Sequence, residues 1–101
     1  VQPKWAPRGA ARFLELVDRG FYDGQSFFRA VPDFVAQWGL HPSPQEILAA
    51  HTYAPSILDD PLLPGVGNKR GRLTFAAAGK DTRDTQCFIN LVTNPHLDSP
   101  Q

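Results

Sequence analysis

One basic side chain stands inside an otherwise apolar stretch, where it could do chemistry. Residues 27–37 predict two short apolar strands around a Pro32-Asp33 turn, with Arg29 in the first strand and Gln37 in the second. A guanidinium is always charged, carries a rigid fork of N–H donors, and is costly to bury without a partner. Arg29 is therefore either paired for structural reasons or placed to meet a ligand, and this stretch alone leaves both possibilities open.

Two pairs of side chains should share strand faces. Val35 and Gln37 are two residues apart, and so are Gln86 and Phe88 in a second apolar stretch. Because successive side chains of a strand point to opposite faces, the members of each pair lie on one face. Each of these faces thus combines an amide with an apolar group.

The elements that must position these groups follow from local patterns. A helix should begin at Ala6-Pro7 and end before Gly20, because Pro suits the first helical turn and Gly suits the C-terminal stop. Its core-facing stripe should hold the apolar residues at helical spacing, namely Ala10, Phe13, Leu14 and Val17.

A second helix and two further strands are expected later in the chain. Ser43-Pro44-Gln45-Glu46 forms a capping box with Pro at the first helical position, which predicts a short helix to Ala50. Residues 72–77 and 86–92 predict two strands, and the polar residues between them predict a loop.

The composition restricts the classes of protein that this chain can represent. Its 101 residues suit one domain, and 42% hydrophobic residues are ordinary for a globular chain. Ten basic and ten acidic residues leave no net charge, which argues against a dedicated nucleic-acid or membrane-surface binder. No apolar run approaches the roughly 20 residues of a membrane span, and the first residues of this sequence do not show the charged-then-apolar pattern of a signal peptide. The single cysteine, Cys87, rules out an internal disulfide and fits a reducing compartment such as the cytoplasm.

Two ordered motifs resemble the cyclophilin family of peptidyl-prolyl cis–trans isomerases. Residues 27–39 read Phe-Phe-Arg-Ala-Val-Pro-Asp-Phe-Val-Ala-Gln-Trp-Gly, similar to the family's Phe-His-Arg, Pro-Gly-Phe and Gln-Gly-Gly signature. Residues 75–89 resemble the second signature, Met-Ala-Asn-Ala-Gly followed by a loop and Ser-Gln-Phe-Phe-Ile. Residues 20–24 reproduce the Gly-Phe-Tyr that ends a family helix, and residues 95–98 resemble the family's Trp-Leu-Asp.

The resemblance implies a mainly β fold. Cyclophilins are closed eight-stranded antiparallel barrels capped by two helices. Residues 1–101 resemble a partial domain of this kind, with one or two capping helices and an incomplete barrel. The chain is expected to begin inside the second strand, so that the N-terminal strand and the C-terminal strands are missing.

The resemblance also implies an activity and a site. By the family's motif, Arg29 donates a hydrogen bond to the twisted prolyl amide, and Gln37 holds Arg29 or touches the substrate backbone. The implied substrate-binding positions are Phe34, Val35, Ala76, Ala77, Gln86, Phe88, His96 and Leu97. No metal and no cofactor are implied. The implied partners are Pro-containing peptides or unfolded protein segments, and neither nucleic acid nor a membrane.

Several positions depart from the family pattern. His96 stands where a rim Trp is common, which predicts weakened binding of cyclosporin-type ligands. Phe28 replaces a His, Asp33 a turn Gly, Ala77 an Asn, and Gln101 a His that usually contacts substrate. Two functions therefore remain open: an isomerase, or a weakly active or inactive module that binds Pro-containing segments.

Three other kinds of site are conceivable from the residue types: a cysteine nucleophile, a histidine metal site and a phosphate-binding loop. Cys87 could be a nucleophile, although a cysteine in an apolar strand with no activating neighbour is expected to be a buried small hydrophobe. The histidines have no metal-ligand spacing, and Gly79-Lys80 lacks the Gly and the Ser or Thr of a phosphate loop. The remaining charged pairs are expected to be solvated turns, namely Asp59 with Asp60 and Lys69 with Arg70.

Overall fold

The computed structural model describes residues 1–39, 55–61, 63 and 65–98. Helix α1 spans Pro7–Asp18, and a 3-10 helix spans Pro95–Leu97. The strands are β1 (Arg29–Val31), β2 (Val35–Trp38), β3 (Leu73–Phe75) and β4 (Cys87–Asn90). The predicted helix at residues 43–50 lies outside the described residues, as do His41, His51 and Gln101.

The four strands form one antiparallel sheet in the order β1-β2-β4-β3. In the described part, β1 and β3 each have one sheet neighbour, so the sheet is open at both edges. The prediction of a mainly β fold with an incomplete barrel is confirmed. Both later strands are shorter than predicted, because β3 and β4 extend only where their residues pair with a neighbour.

The first residues form a turn. Trp5 N donates to Gln2 O over 3.0 Å, and no strand is present in residues 1–6. The expectation that the chain begins inside a strand is therefore wrong for these residues. No helix in the described ranges is both long and apolar enough to cross a membrane.

The turn between β1 and β2 follows the local chemistry. Phe34 N donates to Val31 O over 3.1 Å, which closes a four-residue turn with Pro32 and Asp33 at its centre. Pro suits the first central position, and Asp33 takes a left-handed φ of 58°. Asp tolerates this conformation better than most residues, although Gly has no steric cost there.

Helix α1 presents only part of the predicted stripe to the core, since Ala10 is buried and Phe13 packs against Tyr22 as expected. Leu14 and Val17 are 44% and 47% exposed, whereas Leu16 is fully buried against Phe21. Arg12 is also buried, and its Nη1 donates to Asp84 O over 3.1 Å. The predicted stripe is thus wrong at Leu14 and Val17, because contacts with distant loops set the rotation of the helix.

One of those contacts caps the helix from far along the chain. Ala6 at the N-cap offers no side-chain acceptor, and the Asp60 carboxylate accepts from Arg8 N and Gly9 N, each over 2.9 Å. The same carboxylate pairs with Arg83 Nη1 at 3.2 Å, and its side chain is only 6% exposed. The expectation of a solvated turn is therefore wrong for Asp60. Backbone N–H groups at a helix start favour a carboxylate of this kind.

The core face of the sheet packs against the residues that follow α1. Tyr22 OH donates to Thr85 O over 2.8 Å and lies 3.6 Å from Cys87 Sγ. Cys87 is fully buried, and burial raises its thiol pKa to about 12. The prediction of a buried small hydrophobe is confirmed, and a protonated, inaccessible thiol is unsuited to act as a nucleophile.

Candidate active site

A groove of about 610 Å³ runs along the face of the sheet that Arg29 and Gln37 share. Its lining brings together residues from both sequence motifs and from the 3-10 helix. The predicted site residues in it are Arg29, Phe34, Val35, Gln37, Ala76, Ala77, Phe88 and Leu97.

The strand register sets the central row of this groove. Arg29 of β1 lies opposite Gln37 of β2, which lies opposite Phe88 of β4. Phe88 in turn lies opposite Thr74 of β3. Directly opposed residues of antiparallel strands present their side chains on the same face. A cation, an amide, an aromatic ring and a hydroxyl therefore stand side by side.

Arg29 is exposed, so its guanidinium does not carry the cost of burial that its position in an apolar stretch suggested. It lies in β1, an edge strand of the described sheet, where solvent hydrates its guanidinium. Among the described residues it forms no ion pair with an acid. Its Cζ lies 5.8 Å from the centre of the Phe34 ring, within cation–π range. Its side-chain donors form no hydrogen bond with another described residue, and the contact with Phe34 does not use them.

Gln37 and Gln86 meet across the boundary between β2 and β4. Gln37 Nε2 donates to Gln86 Oε1 over 3.1 Å, which brings Gln86 to the groove. The backbone holds Gln86 in place, since its carbonyl accepts from Ala76 N over 2.9 Å. Gly39 lies nearby with a φ of 103°, and a Cβ there would overlap Thr85 O. Only Gly allows the chain after β2 to pass so close to the residue before Gln86.

An apolar corner lies next to Arg29. The Phe34 ring stacks on the His96 ring with centroids 5.6 Å apart and an interplanar angle of 20°. Leu97 and Phe88 line the groove beside them. Val35 borders the same cavity but is only 2% exposed, so that it forms part of the floor. The structure thus brings all the predicted site residues to one region, His96 through its contact with Phe34.

The other end of the groove is charged and was not predicted from the sequence. Asp59, Asp60, Lys80 and Arg83 line it together with Thr74. Arg83 Nη2 donates to Leu58 O over 2.6 Å, so this arginine joins two loops that are distant in sequence. No local pattern indicates this arrangement, because it depends on the meeting of residues 55–61 with residues 79–84.

A metal centre finds no support in the residues that the structure describes. No group of three or more His, Cys, Asp or Glu side chains is gathered in those residues as metal ligands would be. The groove instead offers a guanidinium, amides and apolar rings. Such a set can bind a peptide and donate hydrogen bonds to it, and it contains no activated nucleophile.

Known proteins resemble this chain over most of its length. It is 35% identical over 95 residues to the peptidyl-prolyl cis-trans isomerase of Helicobacter pylori, a match that covers 94% of this chain and 56% of the relative. It is 38% identical over 94 residues to peptidyl-prolyl cis-trans isomerase-like 1 of Rhizopus delemar, covering 92% of this chain and 56% of the relative. The chain therefore spans somewhat more than half the length of these curated relatives.

A solved structure has a similar fold. The crystal structure of a cyclophilin type peptidyl-prolyl cis-trans isomerase from Cryptosporidium parvum matches with a TM-score of 0.74 and 25% identity, over 94% of this chain and 60% of that one. The same protein was also solved in the presence of the dipeptide Ala-Pro. The sequence model described as cyclophilin type peptidyl-prolyl cis-trans isomerase/CLD matches residues 1–101. With this match over its whole length, the chain belongs to the cyclophilin-type peptidyl-prolyl cis-trans isomerase family.

Proposed function

We propose that this protein accelerates rotation about Xaa-Pro bonds in peptides and unfolded protein segments. The observation that carries the proposal is the position of Arg29, which pairs with no acid in the part of the chain that the structure describes, beside the apolar corner of Phe34, Phe88 and Leu97. An apolar pocket can receive a proline ring, and a fixed donor next to it can reach the prolyl amide. Both parts lie in one groove that is open to a chain segment.

Rotation about an Xaa-Pro bond requires little more than a pocket for the proline ring and a hydrogen-bond donor beside it. The barrier to rotation is about 18–20 kcal/mol because the amide C–N bond has partial double-bond character. Twisting the bond localises the lone pair on the prolyl nitrogen, which then accepts a hydrogen bond better than in either planar form. A donor at that nitrogen stabilises the twisted state selectively, which is the condition for catalysis. A rate gain of about 10⁵ corresponds to roughly 7 kcal/mol of such stabilisation.

Arg29 is the proposed donor. Its exposure in the free protein means that water competes for its N–H groups. A peptide lying along the groove would displace that water and strengthen each charge-assisted hydrogen bond. The cation–π contact with Phe34 holds the guanidinium near the proposed proline pocket without occupying its donors.

Gln37 and Gln86 are proposed to bind the substrate backbone. Their mutual hydrogen bond orients two amides on the groove face, next to Arg29 and Phe88. Amides both donate and accept, as an extended peptide requires. The remaining predicted positions, Ala76, Ala77, Val35 and His96, are proposed to contribute shape and apolar surface.

Binding of proline is further supported by the similar structure solved in the presence of Ala-Pro. A second function, binding with little turnover, is favoured by the stacking of His96 on Phe34. That contact covers one face of the ring and narrows the pocket that a proline can use. Weak binding of cyclosporin-type ligands also stays a prediction, because it is based on His96 standing where a Trp is common.

An isomerisation assay with a short Xaa-Pro peptide, together with a binding titration, tests the proposal. We expect Arg29→Ala to lower kcat/KM by about 100-fold or more, as loss of one transition-state donor does elsewhere, while peptide binding is largely retained. Arg29→Lys should recover only part of the loss, since an ammonium lacks the planar fork. Arg70→Ala, which removes an exposed arginine outside the groove, is the matched control.

Two results separate the two functions. Turnover by the unsubstituted protein that is unchanged in Arg29→Ala would overturn the assignment of the donor. Saturable peptide binding without turnover in the unsubstituted protein would overturn the isomerase and support the binding module.

A further inference from the structure

Three asparagines lie buried beneath the Phe34 end of the groove. Asn68, Asn90 and Asn94 are 9%, 1% and 3% exposed. Asn90 lies opposite Val35 in the register, so it points toward the groove face and is covered from solvent there. Buried amides are costly unless they are hydrogen-bonded, and these three are bonded to one another and to the walls of the groove.

Asn94 connects two walls that the sheet does not connect. Its Nδ2 lies 3.1 Å from Phe34 O and 2.9 Å from Asn90 Oδ1, and donates to both. It is the N-cap of the 3-10 helix, and its own carbonyl accepts from Leu97 N over 3.1 Å. The same residue therefore holds the backbone that carries the Phe34 ring and begins the helix that carries His96 and Leu97.

The other end of the 3-10 helix is held by the same network. Asp98, its C-cap, accepts from Asn68 N and Asn68 Nδ2 over 2.7 Å and 2.8 Å. Asn68 Oδ1 accepts from Asn90 Nδ2 over 3.2 Å, and from Thr74 Oγ1 of β3 over 2.6 Å. Both ends of the helix are thus bonded to the sheet, one through the buried Asn94 and the other through the exposed Asp98 and the buried Asn68.

Neither Phe34 nor the 3-10 helix belongs to the strand ladders. Phe34 lies in the turn before β2, where one backbone bond, from Leu91 N over 2.9 Å, reaches its carbonyl. The stacking of Phe34 on His96 is a weak contact that permits sliding of the rings. The hydrogen bond from Asn94 Nδ2 to Phe34 O limits such sliding more strongly, because Asn94 is itself buried and its Nδ2 also donates to Asn90 Oδ1 and, over 3.2 Å, to Val92 O.

We propose that Asn94 is a positioning residue that sets the spacing of Phe34 from His96 and Leu97, and thereby the affinity of the groove for a proline ring. The identity of the ligand rests on the proposed function, whereas the effect on ring spacing does not. Arg29 lies in β1 and is placed by the sheet register, so Asn94 acts on binding more than on the donor.

The test compares Asn94→Asp with Tyr22→Phe in the full chain. Asn94→Asp keeps the shape but places an oxygen against Phe34 O and Asn90 Oδ1, where the donor stood. Tyr22→Phe also removes a buried hydrogen bond, to Thr85 O, on the core face of the sheet. The readouts are Kd for the dipeptide Ala-Pro, kcat and KM for an Xaa-Pro peptide, and the NMR shifts of the His96 ring protons.

We expect Asn94→Asp to raise Kd and KM about tenfold with kcat changed less than about threefold, and to move the His96 signals toward those of an unstacked imidazole. Tyr22→Phe should lower stability and leave these readouts unchanged. If Asn94→Asp does not fold, Asn94→Ser, whose shorter hydroxyl leaves Phe34 O out of reach, replaces it. Unchanged Kd, KM and His96 shifts in a folded Asn94 variant would overturn the proposal.

A failure of the proposed function can be told apart from a failure of this inference. Absence of turnover in the unsubstituted protein would refute the isomerase alone. The Ala-Pro affinity and the His96 shifts would still decide the role of Asn94.

Discussion

Gln37 Nε2 donates a 3.1 Å hydrogen bond to Gln86 Oε1, joining the strand that neighbours Arg29 to the residue that precedes β4. The two amides come from the two motifs of the sequence, which are separated by 49 positions. Because Gln37 is also opposite Arg29 and Phe88, this bond orients the central amide of the groove. Its loss should affect the site more than the fold.

Gln86→Leu removes the acceptor while keeping a side chain of similar size. We expect the free energy of unfolding to change by about 1 kcal/mol or less, as for a half-buried hydrogen bond, and kcat/KM for an Xaa-Pro peptide to fall about three- to tenfold, or about 0.7–1.4 kcal/mol. Gln86→Glu, which keeps an acceptor for Gln37 Nε2, should lose less. Equal activity of Gln86→Leu and the unsubstituted protein would show that the orientation of Gln37 does not matter.

Asp60 should be a main contributor to stability. Its buried carboxylate caps α1 and pairs with Arg83, so Asp60→Ala removes the acceptor of Arg8 N, Gly9 N and Arg83 Nη1. We expect a loss of about 2–3 kcal/mol in urea unfolding, from the cap and the unpaired donors together. Asp60→Asn should lose less because one amide oxygen still accepts. The control Asp18→Ala, at the exposed end of α1, should stay within about 0.5 kcal/mol of the unsubstituted protein.

Asp98 predicts an acid dependence of stability. Hydrogen bonds from the backbone and then the side chain of Asn68 lower the pKa of Asp98 below its ordinary value of 3.8. A carboxyl group whose pKa is lowered by folding stabilises the fold fully at pH above 3.8, and this contribution is lost as the pH falls through the lowered pKa. Unfolding free energies measured from pH 6 downward should therefore fall more steeply for the unsubstituted protein than for Asp98→Asn. Parallel curves would mean that the bonds to Asn68 do not depend on the charge of Asp98.

Cys87 should be unreactive until the protein unfolds. It is fully buried, and burial raises its pKa to about 12, so that thiolate is scarce at neutral pH. We expect labelling by a thiol reagent to be slower in the native state than in urea by at least about 10³-fold, since the open form is rare. Ser26→Cys in a Cys87→Ala background supplies an exposed thiol as the control. Labelling of Cys87 at the rate of that control would contradict the buried position.

Several features of this protein could be read from short stretches of sequence. Pro32-Asp33 predicts the turn that brings Arg29 opposite Gln37, because Pro and Asp suit the two central conformations of that turn. Pro7 predicts the start of α1 in the same way. Because side chains alternate along a strand, the sequence also predicts which strand face carries Gln37 and which carries Phe88. These are torsional and steric preferences of neighbouring residues, so they are present before the chain folds.

Other features depend on which distant segments meet. Arg29 is exposed because β1 is an edge of the described sheet, and Leu14 is exposed because Asp60 and Asp84 hold α1 from far along the chain. The buried amides under Phe34 also depend on distant segments. Asn90 can be recognised in the sequence as a polar residue in an apolar strand, but the partners of its Nδ2 lie up to 22 positions away and cannot be recognised. Burial and hydrogen-bond partners are properties of the packed chain. The sequence by itself therefore determined the motifs, the turn and the family resemblance, whereas only the tertiary structure decided which polar groups are buried, what they bond to, and how they hold the groove.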